Sequence, residues 1–162
     1  VVFYDTLLAK LSAGEVDAVL AHELGHFKHK HILKRIVSMF ALSLAGFALL
    51  GWLATQVWFY TGLGVTPNMT TGAPNDALAL LLFMLVVPIF SFFISPLFAQ
   101  LSRKHEFEAD AYAVAQTSGA DLSTALLKLY EDNASTLTPD PLYVKFYYSH
   151  PPASERLQRM AT

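Results

Sequence analysis

His22, Glu23 and His26 form the motif HELGH inside the stretch Val19 to His31, VLAHELGHFKHKH. On an α-helix, residues four apart lie about 40° apart around the axis, so both histidines face one way. Two imidazole nitrogens so placed can grip one zinc ion. Glu23 does not fully share their direction, and it can reach a metal-activated water as general base. A helix is well signalled here: Ser12 and Glu15 make the capping-box pattern S-A-G-E, and Val16, Val19, Leu20, Leu24 and Phe27 supply an apolar stripe. The chain has no cysteine, so any metal must be held by nitrogen and oxygen.

Catalytic zinc needs a third protein ligand and an open fourth position. The pattern HExxHxxGxxH does not supply the ligand, because the position ten after His22 is Ile32. The candidate lies far downstream, in Ser102 to Ala115, SRKHEFEADAYAVA. Glu106 can complete a site of two histidines and one glutamate. Asp110, one helical turn on, can take the outer ring N–H of a zinc histidine and fix its tautomer. Glu108 is expected to be solvated, and the competing reading of the whole cluster is a solvated acidic helix face.

The residues between must bring the two halves together. Residues 36 to 75 contain no charged side chain. Ile36 to Tyr60 and Ala77 to Leu101 are each apolar enough, and longer than the roughly 20 residues a bilayer requires. Pro88 and Pro96 lie in the second, where kinks rather than breaks are expected. Trp52, Trp58, Phe59 and Tyr60 suggest an interfacial belt. The linker Thr61 to Asp76 has no Lys or Arg, whereas Lys28, Lys30, Lys34 and Arg35 precede the first span and Arg103 and Lys104 follow the second. The positive-inside rule then places the linker outside and both flanks in the cytoplasm. A helical hairpin would return Glu106 to the membrane face that carries His22. His29 and His31 are expected, with Lys28, Lys30 and Lys34, to form a polar collar at that face rather than to bind metal, and His105 also reads as a residue outside the metal site.

Composition agrees. Of 162 residues, 54% are hydrophobic and only 15% charged, where soluble domains run near a quarter charged. The competing reading is a pair of helices buried in a large soluble core. A formal net charge of −2 gives no argument for a nucleic-acid partner. The chain opens Val-Val without a cleavable leader, which reads as an excised piece of a longer protein. The expected fold class is all-α: an integral membrane helical hairpin joined to a helical zinc-peptidase domain, with residues 102–162 forming a helical cytosolic cap. In that cap, GADLSTALLKLYEDN reads as a helix with Asp121 as N-cap. A turn-rich aromatic loop follows, then SHPPASERLQRM, with His150 before a proline-started helix and Arg156 one turn in. His150 could donate to the oxyanion of a tetrahedral intermediate, or merely cap the helix. Arg156 could contact substrate or make a structural ion pair.

The ordered set FYDTLL, VLAHELGHFKHKH, LSRKHEFEADAYA and YYSHPPASERL resembles the type I CAAX prenyl endopeptidases. These are membrane-embedded zinc proteases of the gluzincin kind, related to the HtpX heat-shock type. The resemblance covers nearly the whole chain. It implies one zinc ion held by His22, His26 and Glu106, Glu23 as catalytic base, Asp110 as the carboxylate behind a ligand, and roles for His150 and Arg156 beside the metal. It also implies peptide or protein substrates at the cytoplasmic membrane face. Full-length members carry further membrane helices ahead of this region, which here would be partners of the chain in a larger chamber. An HtpX-like quality-control protease and an inactive membrane scaffold remain the alternatives.

Overall fold

The structure is a computed structural model and describes residues 3, 5–70, 74–132 and 139–160. Among these residues every regular element is a helix: α1 (Asp5–Leu8), α2 (Ala13–Lys28), α3 (His31–Ala54), α4 (Val57–Gly62), α5 (Asp76–Gln116), α6 (Gly119–Asp132), α7 (Pro141–Tyr147) and α8 (Ala153–Met160). The chain divides into two compact units, Val1–Leu33 with Ser95–Thr162, and Lys34–Ile94.

In the first unit, α2 starts where the capping box puts it. The Ser12 side chain accepts from the Glu15 N–H, and the Glu15 carboxylate accepts from the Ser12 N–H at 2.7 Å. Lys128 on α6 donates to the same carboxylate at 2.7 Å, tying the start of α2 to α6. The inward face of α2 differs from the expected apolar stripe. Ala18, Ala21, His22 and Gly25 are buried, whereas Leu24 and Phe27 are exposed. Small side chains are needed because α2 and α5 approach almost backbone to backbone: a Cβ on Gly25 would stand 3.0 Å from Ala109 Cα. Ala18, Ala21, Ala113 and Leu122 form the core, with Val114 and Met160 packed against it.

α6 begins three residues earlier than expected. Ser118, not Asp121, caps it, its hydroxyl accepting from the Asp121 N–H. Gly119 is therefore the first residue of α6. Asp140 caps α7 through the N–H groups of Leu142 and Tyr143. Arg103 reaches the Val144 carbonyl at 2.7 Å, and the Arg159 guanidinium lies 3.6 Å over the Phe107 ring, holding α7 and α8 against α5.

In the second unit, the segment 36–60 is not one helix. α3 stops at Ala54, the chain turns at Thr55 and Gln56, and α4 follows. The Tyr60 hydroxyl satisfies the freed Ala54 carbonyl at 2.8 Å. Phe59 and Tyr60 pack inside, with Leu53, Ala79 and Leu82, instead of joining an outward belt; Trp52 and Trp58 stay exposed. α5 continues as helix through both Pro88 and Pro96. α3 and α5 are long and apolar enough to cross a membrane. In their most apolar stretches, 0% of α3 and 11% of α5 is buried within the chain, unlike the mostly buried core helices of a soluble fold.

Candidate metal centre

The His22 and His26 side chains leave α2 one turn apart, and Glu106 faces them from α5. The two Nε2 atoms are 3.2 Å apart. The Glu106 carboxylate oxygens lie 3.7 Å from the first and 3.5 Å from the second. Three donors around a tetrahedral ion with metal–ligand bonds near 2.0–2.1 Å stand about 3.3 Å from one another, so this donor set fits one zinc-sized ion. Burial pushes the His26 imidazole below its ordinary pKa, and His22 beside it acts in the same direction, against the pull of Glu106. The ring is then neutral, the state that can ligate.

Asp110 stands behind His22. Nδ1 of His22 is sealed from solvent and faces Asp110 Oδ1 at 2.9 Å, in a bent approach. Arg156 reaches from α8 with a two-pronged grip on Asp110, Nε to Oδ2 at 2.8 Å and Nη2 to Oδ1 at 2.6 Å. Its Nη1 also stands 3.7 Å from Glu106. Burial alone would raise the Asp110 carboxyl; the His22 ring beside it and the hydrogen bonds from Arg156 outweigh it and hold the group below the usual carboxylate range. Of the two roles considered for Arg156, this buried geometry is that of the ion pair.

A cavity of about 430 Å³ opens onto the three donors and is also lined by Glu23, His150, Ile32 and α6 leucines. Glu23 is exposed at its wall. His150 is exposed too, with Nε2 3.7 Å from Glu106 and Nδ1 3.0 Å from the Ser149 hydroxyl. Glu23 and His150 thus both line the space beside the donors.

The collar expected of His29, His31 and the neighbouring lysines does not include His31. α2 ends at Lys28, and Lys30 takes a left-handed conformation, φ 55°. That turn swings His31 inward at the start of α3, where it is only 4% exposed. Its Nδ1 lies 3.0 Å from His26 Nδ1 and its Nε2 lies 2.9 Å from Glu108 Oε2. Glu108, expected in solvent, is held below the usual carboxylate range chiefly by the hydrogen bond from His31. The rings of His105 and His29 lie parallel to His31, at 4.1 and 5.5 Å. The clue in the sequence was the surplus of histidines around a helix end; helical spacing alone does not reveal the break that turns one of them inward.

The model of peptidase family M48 matches residues 1–162. The chain belongs to that family. Among curated M48-like relatives, CAAX prenyl protease 1 of Saccharomyces cerevisiae is 33% identical over 97% of this chain and 37% of its own length. The CAAX prenyl protease 1 homolog of Arabidopsis thaliana is 35% identical over 98% of this chain and 36% of its own. The fold superposes on the crystal structure of S. mikatae Ste24p with a TM-score of 0.82 and 31% identity, covering 99% of this chain and 39% of that one. The chain thus spans little more than a third of these proteins. The all-α fold class holds, and a metal ion is implied by membership of a metallopeptidase family.

Proposed function

We propose that the chain is the catalytic portion of a zinc-dependent endopeptidase that cleaves membrane-associated, CAAX-type protein substrates at the cytoplasmic face. The observation that carries this is the meeting of His22, His26 and Glu106 at one end of a cavity whose wall holds Glu23. The names of the relatives support the CAAX class over general quality control. The intact base beside a complete donor set argues against a scaffold without activity.

His22, His26 and Glu106 would hold one zinc per chain. Bound there, the ion would supply Lewis acidity toward a peptide carbonyl and an attacking water. The remaining work belongs to side chains. Glu23 accepts the proton of the attacking water at its carboxylate and returns it to the leaving amine. His150, with Nε2 directed toward the same space, donates to the oxygen on which negative charge develops. Asp110, fixed by Arg156, keeps the His22 ring in the tautomer that leaves Nε2 free. α3 and α5 would cross the bilayer, with the basic residues around Lys28 and Lys104 on the cytoplasmic side.

Glu23→Gln in the full-length protein tests the reading, with a prenylated CAAX peptide and its unprenylated counterpart as substrates. Cleavage should fall by at least about 100-fold while bound zinc is unchanged. Undiminished cleavage would refute the role of Glu23. Equal turnover of the two peptides would refute the prenyl-linked substrate class.

A further inference from the structure

His22 and His26 are both backed by a second side chain, but by different chemistry. Behind His22 stand Asp110 and then Arg156. Behind His26 stand His31, at 3.0 Å between the two Nδ1 atoms, and then Glu108, 2.9 Å from His31 Nε2. We infer that His31 and Glu108 form a positioning relay that fixes the tautomer and orientation of His26, a role that rests on the metal-centre reading above.

Proton bookkeeping gives the relay one polarity. Nε2 of His26 faces His22 and Glu106, so its lone pair must be free for the ion and its proton must sit on Nδ1. That N–H donates to Nδ1 of His31. The His31 proton then sits on Nε2 and donates to Glu108, whose carboxylate is a pure acceptor. Every donor meets an acceptor, and no ring need be charged. The parallel rings of His105 and His29 hold the plane of His31.

A rival use of the same residues is a second metal site, since His29, His31 and Glu108 also bring donor atoms within 4.8 Å of one another. Through the His31 nitrogen that stands beside Glu108, that use takes the Nε2 lone pair. The His31 proton would move to Nδ1 and point at Nδ1 of His26, driving the His26 proton onto Nε2, where the first site needs a lone pair. With neutral rings the two uses exclude each other, and the relay is the one compatible with the metal centre.

The test measures zinc affinity of the detergent-purified full-length protein by competition with a chelator. His31→Phe and Glu108→Ala should each weaken binding by about 10–100-fold. His31→Asn, which keeps an acceptor near the Nδ1 position, should recover part of the loss, and Glu108→Gln should be intermediate. The cobalt(II)-loaded His31→Phe variant should show altered visible absorption, because the His26 ligand is reoriented. If His31→Phe does not fold, Glu108→Ala, at the half-buried end of the relay, decides alone. Parent affinity in Glu108→Ala overturns the relay. So does binding of two ions by the parent with loss of one in Glu108→Ala, the result of a second metal site. His22→Ala is the control: zinc retained at parent affinity there means that the metal-centre reading itself has failed, whereas loss there with no effect at His31 and Glu108 removes the relay only.

Discussion

Single side chains build the candidate metal centre through pairs, and each pair has its own measurable weight. Arg156 is buried against Asp110, so Arg156→Met leaves an uncompensated carboxylate in the interior. We expect a loss of about 3–5 kcal/mol in unfolding free energy, read by denaturant titration, together with weaker zinc binding. A result within experimental error of the parent would mean that the pair does not order the site. Glu15 offers a cleaner pH test, since it is remote from the metal. Its carboxyl is held below the ordinary value, first by the hydrogen bond from Lys128 and then by that from the Ser12 N–H. Folded-state depression means that its contribution is present above the unfolded carboxylate pKa and vanishes as pH falls through the folded one. Glu15→Gln should therefore lower Tm at neutral pH, with the gap to the parent closing below about pH 4. At this scale the sequence disclosed a good deal. His22, Glu23, His26 and Glu106 were legible because each is a type whose chemistry demands such spacing. His31 and Glu108 were not, because their meeting depends on a backbone turn at Lys30 rather than on periodicity.

Helices set the distances within which those side chains act. α2 meets α5 at Gly25 and Ala109, with no room for a Cβ unless one backbone shifts. Gly25→Ala should cost about 1–3 kcal/mol by overpacking. It should also weaken zinc binding, because the same displacement draws His22 and His26 away from Glu106. Unchanged Tm and unchanged affinity would show that α2 and α5 have slack at this crossing. The existence of α2 and its start at Ser12 were plain from the capping box. Its inward face was not: a stripe of large apolar residues is the usual mark of a buried face, but here Leu24 and Phe27 point away from the chain and alanines face in. The rule fails because close backbone approach selects small residues, leaving the large ones for whatever covers α2 from outside. The end of α3 differs from what hydropathy implies, for a related reason. Hydropathy alone runs on through Phe59 and Tyr60, while the polar pair Thr55 and Gln56 breaks the helix and folds those aromatics back into the chain.

Over the whole molecule, α3 and α5 place large apolar side chains such as Phe40, Phe47 and Phe93 on the outside of the chain. The uncharged run predicted this well, since a membrane span is a bulk property that needs no detail of packing. Topology is open to direct labelling, because the chain has no cysteine of its own. On a cysteine-free full-length background, Met69→Cys should react with an impermeant maleimide in intact cells, and Lys28→Cys only after permeabilisation. The reverse pattern would put the metal centre on the other face. The central proposal is that donors split across the chain, His22 and His26 on one helix and Glu106 on another, hold a single ion. The most direct measurement is therefore the metal content of the purified full-length protein, compared with His22→Ala and Glu106→Ala. One zinc per chain in the parent, and none retained by either variant after dialysis against chelator, is the expected result. Zinc held by Glu106→Ala as tightly as by the parent would contradict it.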